Sequence, residues 1–240
     1  MIRLAKKIAE SGVSSRREAE RLIEEGRVKV DGEVISSPVF FVDNSNLIEV
    51  NGKRLPKQSS DISVWKMNKP QGYITTRFDP KGRKTVFDLF PNSISGRLLY
   101  VGRLDINSEG LLLFTNNGNL SRKLELPSSE LCRTYKVRFF GKLSSEQIDQ
   151  MKKGLVIQGV RYGGINIEVQ SAKFSANTWA IVTLKEGKNR EIRRVLEHFD
   201  CSVNRLIRLS YGPIKLNDTK LGKVEKLSDD ELQKLLKCIR

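Results

Sequence analysis

Histidine and cysteine are scarce in this 240-residue sequence, and each scarcity restricts the chemistry open to it. His198 is the single histidine, so a Ser-His-Asp or Cys-His arrangement could be built only on it, and a histidine-rich metal site is excluded. It falls within an amphipathic helical pattern, where a packing or surface position accounts for it. Cys132, Cys201 and Cys238 are odd in number and widely spaced, which excludes a complete disulfide framework and any CxxC metal clamp. No apolar run approaches the ~18 residues a membrane span requires. Arg3, Lys6 and Lys7 interleave with the first apolar residues, unlike a secretory signal. A cytosolic protein with no membrane association is the expectation. No GxGxxG follows a strand and no GxxxxGK[ST] occurs, so a nucleotide cofactor has no visible cradle.

Positive charge is what the chain has in excess. Its 43 Lys+Arg against 28 Asp+Glu leave a net +15, and such a surplus favours polyanions through counterion release. Nucleic acid is the expected partner, because no strongly basic amphipathic helix or lipidation signal supports a membrane surface instead. The charge is unevenly divided. Residues 1–60 hold 11 basic and 9 acidic residues, a net of +2, so the other 180 carry 15 − 2 = +13.

The first 35 residues follow local rules. Leu4, Ala5, Ile8 and Ala9 recur at helical spacing until Ser11-Gly12 ends the pattern. Ser15 with Glu18 forms a capping box, and Ala19, Leu22 and Ile23 give a second stripe that stops at Gly26. Val28 and Val30 alternate with Arg27 and Lys29, Asp31-Gly32 supplies a tight primed turn, and Val34-Ile35 begins the return strand. The pattern is helix, helix, hairpin. Arg16, Arg17 and Arg21 begin the second helix, where free amides and the dipole also favour phosphate; the same arginines would equally serve as a solvated face paired with Glu20, Glu24 and Glu25.

An extended piece, Leu47 to Val50, ends at Asn51-Gly52, and residues 53–61 read as a linker, polar and without periodicity. Beyond it, strands are expected at Val64 to Met67, Leu98 to Val101, Leu111 to Thr115, Tyr135 to Phe140, Ile165 to Val169 and Trp179 to Leu184. Helices are expected at Leu120 to Leu126, Ser145 to Lys153, Asn189 to His198, and Asp229 to Ile239 with a Ser228/Glu231 capping box. The fold class is therefore α+β. A small N-terminal domain over residues 1–60 would precede a larger one, 62–240, on a mixed, mainly antiparallel sheet.

Chemistry here must come from carboxylates, tyrosines and basic groups. Asp105 and Glu109 lie on a loop between two apolar strands; on spacing alone they also fit an acidic turn whose Asp caps local amides. A carboxylate-pair glycosidase would use the same two residues, but it needs an aromatic-rich cleft, and aromatics make up only 7% of the chain.

Gly102-Arg103-Leu104-Asp105 with Ser108-Glu109-Gly110-Leu111-Leu112 is similar to the signature loop of the pseudouridine synthases of the RsuA group, which act on ribosomal RNA. Arg133-Thr134-Tyr135-Lys136-Val137 resembles their second motif. The run from Glu186 to Arg194, followed by Arg205-Leu206-Ile207-Arg208 and Tyr211-Gly212-Pro213-Ile214, resembles their third. Ser14 to Ala19 and Gly26 to Gly32 resemble the small RNA-binding domain of the same group, so the likeness covers nearly the whole chain except the C-terminal 25 residues. The stretch from Glu146 to Gly164 and the Tyr-Gly-Pro-Ile ending resemble most the RluB-type large-subunit enzymes.

The resemblance implies isomerisation of one ribosomal-RNA uridine to pseudouridine, with no cofactor and no metal. Asp105 would be the essential carboxylate, Tyr135 would stack on uracil and assist proton removal, and Arg193 would pair with Asp105. Periodicity does not separate Arg193 from Arg190 and Arg194; only the motif does. Leu206 would pack on the base, Arg103 would help hold the nucleotide out of its helix, and Lys188 and Arg208 would meet phosphates or form surface charge. Arg16, Arg17, Arg21, Arg27 and Lys29 would grip structured RNA. The expected partner is ribosomal RNA or a pre-ribosomal particle, bound by a monomer. A small-subunit synthase and a non-catalytic assembly factor that keeps the fold are the alternatives; intact Asp105, Tyr135 and Arg193 argue against the second.

Overall fold

A computed structural model describes residues 1–56, 61–94, 96–170 and 177–239. The chain divides into two compact units, one of Met1–Ile62 with Ser95–Leu98 and Asn116–Gly118, the other of Ser63–Ile94, Leu99–Thr115 and Asn119–Arg240.

The small unit contains β1 (Ile2–Arg3), α1 (Leu4–Glu10), α2 (Arg16–Glu24), β2 (Val28–Val30), β3 (Glu33–Val34), β4 (Phe41–Val42), β5 (Ile48–Val50) and β6 (Lys53–Arg54). The two helical stripes seen in the sequence bury Leu4, Ala5 and Ile8 and then Ala19, Leu22 and Ile23 against Val28, Val30, Ile48 and Val50. Half of the Ser15/Glu18 capping box forms. Ser15 Oγ accepts from Glu18 N, but the Glu18 carboxylate turns to Arg21 at 2.6 Å, a charged donor within its reach. Asp31 and Gly32 both have positive φ, 51° and 89°, as the expected primed turn demands. The linker expectation is corrected at its start. Asn51 and Gly52 also have positive φ, so they form a second tight turn that sends Lys53 and Arg54 back along β5. Residues 57–60 of that stretch lie outside the described residues.

The large unit follows with β7 (Val64–Lys69), β8 (Leu99–Val101), β9 (Glu109–Thr115), α3 (Gly118–Glu125), β10 (Arg133–Phe140), α4 (Ser145–Lys153), β11 (Leu155–Ile157), β12 (Val160–Tyr162), β13 (Ile165–Gln170), β14 (Asn177–Leu184), α5 (Glu191–His198), β15 (Ser202–Tyr211), β16 (Ile214–Lys215), β17 (Val224–Lys226) and α6 (Asp229–Lys237). Its sheet runs β13-β14-β10-β15-β9-β7-β17, with β8 added on β9 and β16 on β15. Every pairing is antiparallel except β15 with β9, so the sheet is mixed and mainly antiparallel as expected.

Three features depart from the sequence reading. The first is β15, which lies at the centre of the sheet yet was read only as a motif, because Arg205 and Arg208 interrupt any apolar alternation. The second is the C-terminal stretch, from which nothing had been carried over. It supplies the edge strand β17, which was not expected, while the expected helix forms as α6 with its Ser228/Glu231 capping box; there Leu235 is fully buried and Glu231 meets Lys66 at 2.8 Å. The third is the β11–β12 hairpin within the stretch from Glu146 to Gly164.

Gly110 explains one motif position. Its φ is +100°, and a Cβ there would stand 2.3 Å from the Arg208 carbonyl oxygen. The single parallel contact of the sheet thus requires glycine, and it brings Arg208 beside the strand that follows Asp105. Among the described residues no helix is long and apolar enough to cross a membrane.

Candidate active site

Asp105 sits on the loop joining β8 to β9, and main-chain contacts determine the shape of that loop. Gly102 takes a φ of 64° and donates its N–H to Glu125 Oε1 at 2.8 Å. Leu104 is held from both sides by Thr75, whose Oγ1 donates to the Leu104 carbonyl at 2.9 Å and accepts from its N–H at 3.3 Å. Ser108 N donates to the Asp105 carbonyl at 3.0 Å.

Beneath the loop lies Lys69, fully buried at the end of β7. Its ammonium donates to the carbonyls of Ser108 at 2.8 Å, Pro70 at 3.0 Å and Asp105 at 3.1 Å, one proton for each acceptor. Burial pulls its pKa down to about 8, while the charges of Asp105 and Glu109 resist the fall. Sequence reasoning missed this residue. The expected strand stopped at Met67, and a lysine before a proline carries no local mark of burial.

The loop faces a cleft of about 430 Å³, lined among others by Arg103, Asp105, Tyr135, Lys188, Leu206 and Arg208. Those six sequence candidates therefore come together from four separate segments. Tyr135 on β10 and Leu206 on β15 are nearly buried and supply the cleft's apolar wall. Two guanidinium groups flank the Asp105 carboxylate: Arg190 Nη1 at 3.4 Å and Arg193 Nε at 3.9 Å from Oδ2. Arg190 is half exposed and lines the cleft; its backbone is left-handed, with φ 52°, at the N-cap of α5. Arg193 stands behind the loop, where it donates to the carbonyls of Val203 and Asn107 at 3.0 Å each. Burial lowers its pKa, the neighbouring Arg190 lowers it further, and Asp105 opposes both.

One expected role changes with the geometry. Arg208, expected at a phosphate or on the surface, is only 2% exposed; its Nε donates to the Leu111 carbonyl at 2.6 Å and its guanidinium lies 5.2 Å from the Tyr211 ring centre. It is part of the cleft floor, because strand alternation places it on the inner face with Leu206. Lys188 extends to Glu186 and over the Tyr162 ring, so it is held at the cleft rim. Glu109 does not line the cleft. It takes a bidentate ion pair from Arg205, with both oxygens at 2.8 Å, and a hydrogen bond from Gln71. A two-carboxylate glycosidase site is thereby disfavoured, since the second carboxylate is already engaged. Arg133 and Tyr211 were also missed: Arg133 donates to the Tyr211 hydroxyl at 3.0 Å, and that hydroxyl donates to the Leu124 carbonyl at 2.7 Å. Nothing in a single β-strand pattern marks such a buried relay.

Glu191 opens α5 at the cleft's edge and is buried. Burial pushes its carboxyl up to about 7, and the nearby Glu186 carboxylate pushes the same way. A carboxyl raised from 4.5 in the unfolded chain binds its proton more tightly when folded, so it contributes stability that is fully present below about pH 4.5 and is lost as pH rises through about 7. Glu191→Gln should remove that dependence. Urea unfolding between pH 5 and 8 is expected to show a flatter stability profile for the variant and a higher stability than wild type at pH 8; parallel profiles would contradict the assignment.

The small unit exposes all five expected RNA contacts, Arg16, Arg17, Arg21, Arg27 and Lys29. Arg21 is engaged by Glu18 and Glu25, and Arg27 by Glu25 and Asn51. Arg16, Arg17 and Lys29 have no acidic side chain within ion-pair distance among the described residues. Of the three arginines at the start of the helix, Arg21 alone takes the paired-face arrangement among the described residues.

Residues 63–198 match the family described as RNA pseudouridylate synthase, and residues 2–48 match the S4 domain. A relative in Rickettsia felis, named as an uncharacterized RNA pseudouridine synthase, is 48% identical over 98% of this chain and all of its own length. A Yersinia pestis protein named ribosomal large subunit pseudouridine synthase B is 41% identical over 89% of this chain and 68% of its own. A crystal structure described as a pseudouridylate synthase shares the fold, with a TM-score of 0.70 at 24% identity over 98% of this chain and all of that one. The chain is a member of the RNA pseudouridylate synthase family, with an S4 domain ahead of its synthase domain.

Proposed function

We propose that this protein converts one uridine of large-subunit ribosomal RNA to pseudouridine, with Asp105 as the catalytic carboxylate. The observation that carries the reading is the position of Asp105: it lines one cleft with Tyr135 and Leu206, and two guanidinium groups stand beside its carboxylate. The cleft volume falls within the range of pockets that enclose small molecules, enough for an everted nucleotide.

The reaction breaks the bond from the ribose to a ring nitrogen and forms one to a ring carbon. That carbon loses a proton and the nitrogen gains one, so atoms and electrons balance without a co-reactant. Asp105 would attack or deprotonate the nucleoside as the bond breaks. Tyr135 and Leu206 would hold the detached base while it turns, and the Tyr135 hydroxyl would assist removal of the carbon-bound proton. Arg193 and Arg190 would hold the carboxylate, Arg103 and Lys188 the flanking nucleotide backbone. Residues 1 to about 60, with Arg16, Arg17, Arg21, Arg27 and Lys29, would grip structured RNA, as free RNA or within an assembling particle, and residues 62–240 would isomerise the uridine. The large-subunit assignment is supported by the Yersinia relative and by a Pseudomonas aeruginosa protein of the same name, 38% identical over 96% of this chain and 60% of its own.

Incubation of the purified protein with separately transcribed, unmodified large- and small-subunit RNAs tests this. Pseudouridine at a single position of the large-subunit RNA is the expected product. Modification confined to the small-subunit RNA would refute the substrate assignment, and none in either RNA would refute the substrate class.

A further inference from the structure

We propose that Glu191 is a positioning residue for the reaction: as a neutral carboxyl it donates to the Glu186 carboxylate, and that bond holds the rim segment 186–190, which carries Arg190 to Asp105. The inference rests on Asp105 as the catalytic carboxylate and adds a residue that acts only through the rim.

The two carboxyl groups are anchored to separate pieces of backbone. Glu186 Oε1 accepts from Gly163 N, in the turn after β12, and Oε2 accepts from Lys188 Nζ. Glu191 Oε2 accepts from Lys188 N at 2.7 Å, while Glu191 N donates back to the Lys188 carbonyl at 3.2 Å. Glu191 Oε1 is buried, and no N–H donor reaches it among the described residues. The group beside it is the Glu186 carboxyl. The cations nearby are committed elsewhere. Lys188 turns to Glu186 and Arg190 to Asp105. Arg194 of α5 donates to the Tyr162 hydroxyl at 3.4 Å and to Asn189 Oδ1 at 3.5 Å, and Arg133 of β10 donates to the Lys185 carbonyl and the Tyr211 hydroxyl.

Two ionised carboxylates side by side, with Glu191 only 4% exposed, repel with little water to screen them. One proton between them replaces the repulsion with a charge-assisted O–H···O bond. That proton belongs on Glu191. Glu186 already accepts from two donors that favour its charged form, whereas Glu191 accepts from one and is the more deeply buried. The orphaned oxygen then becomes a donor with an acceptor in reach. Arg190 lies between the two anchors. Its left-handed backbone, φ 52°, is one that its flanks must impose, and its guanidinium stands 3.4 Å from Asp105 Oδ2.

Glu191→Gln keeps both bonds, because the amide N–H meets Glu186 and the amide carbonyl accepts from Lys188 N; Glu191→Ala removes both. At pH 6 the single-turnover rate of Glu191→Ala is expected to fall roughly tenfold to a hundredfold, the scale of a misplaced reacting group, with RNA affinity within about threefold of wild type. Glu191→Gln should stay within about threefold of the wild-type rate at that pH. Between pH 6 and 8 the ratio of its rate to that of wild type should climb to roughly tenfold, since wild type loses the proton through about 7 and the amide has none to lose. Lys69, with its pKa at about 8 in both enzymes, cancels in this ratio. A flat ratio, or Glu191→Ala at the wild-type rate, overturns the positioning role and leaves the proposed function standing. Wild type without turnover removes the proposed function, and NMR then decides the rim. The Lys188 and Arg190 amide resonances should move with a midpoint at about 7 in wild type and hold still in Glu191→Gln; amides indifferent to pH in wild type overturn the proposal.

Discussion

Asp105→Asn is expected to lower the single-turnover rate of pseudouridine formation by at least about 10³-fold, the scale of losing an essential charged group in covalent or general-base chemistry. RNA affinity should stay within about threefold of wild type. The two expectations follow from separate parts of the residue. Its main-chain carbonyl takes the Lys69 and Ser108 hydrogen bonds that shape the loop, and asparagine leaves that carbonyl in place. Only the carboxylate between Arg190 and Arg193 is lost, and with it the one group in that position able to attack or accept a proton. A basic cleft that loses a negative charge does not bind a polyanion less well. The measurement is pseudouridine content of the RNA after one turnover, with a filter-binding titration beside it. A variant within about tenfold of the wild-type rate would remove Asp105 from the proposed chemistry.

Lys69→Met has the second large effect, through the loop and not through the substrate. Methionine fills the lysine's volume but leaves three carbonyls without the donors now supplied, at a stability cost of about 2 kcal/mol. A catalytic carboxylate displaced by about 1 Å costs roughly 10²-fold in rate, and kcat is expected to fall by about that factor. The pH profile separates this role from simple packing. With the Lys69 pKa held at about 8, deprotonation above that pH removes one of three protons from the carbonyl cage, so wild-type activity should fall on an alkaline limb centred near 8. Stability moves the other way. A lysine lowered from 10.5 contributes stability that is present above 10.5 and lost as pH falls through about 8, so this group makes the folded state relatively more stable as pH rises across that window. Activity that declines from pH 7.5 to 9 without a matching fall in the urea midpoint, and a Lys69→Met profile that lacks the limb, are the expected results. A variant that keeps the alkaline limb or wild-type kcat would show that Lys69 does not position the loop.

The pairing of Asp105 is finer than motif spacing can express. Arg193 was expected as its partner, and it does stand within ion-pair range, but Arg190 approaches more closely. They are three positions apart, just under one helical turn, so both are equally placed on a drawn helix. The difference arises because Arg190 occupies the left-handed N-cap and Arg193 the first full turn, with carbonyls of Val203 and Asn107 drawing the latter guanidinium away. Helical periodicity contains no information about a cap that leaves the helix.

Local interactions made the rest of the chain readable to different depths. The amino-terminal helices, the Asp31-Gly32 turn, α4 and the antiparallel character of the sheet follow from apolar period, caps and turn residues, all of which act over a few neighbours. The short motifs likewise marked Asp105, Tyr135, Lys188 and Leu206 as residues of one cleft. Tertiary structure alone decided that β15 lies at the sheet's centre despite its arginines, that β17 forms the sheet's edge and Glu231 of α6 meets Lys66, that Lys69 is buried under the loop, and that Glu109 is committed to Arg205. Each of these depends on partners between 36 and 165 positions away for which the strand or turn itself leaves no trace. Burial of a charge is a property of what surrounds it, and the surroundings exist only once the sheet has closed.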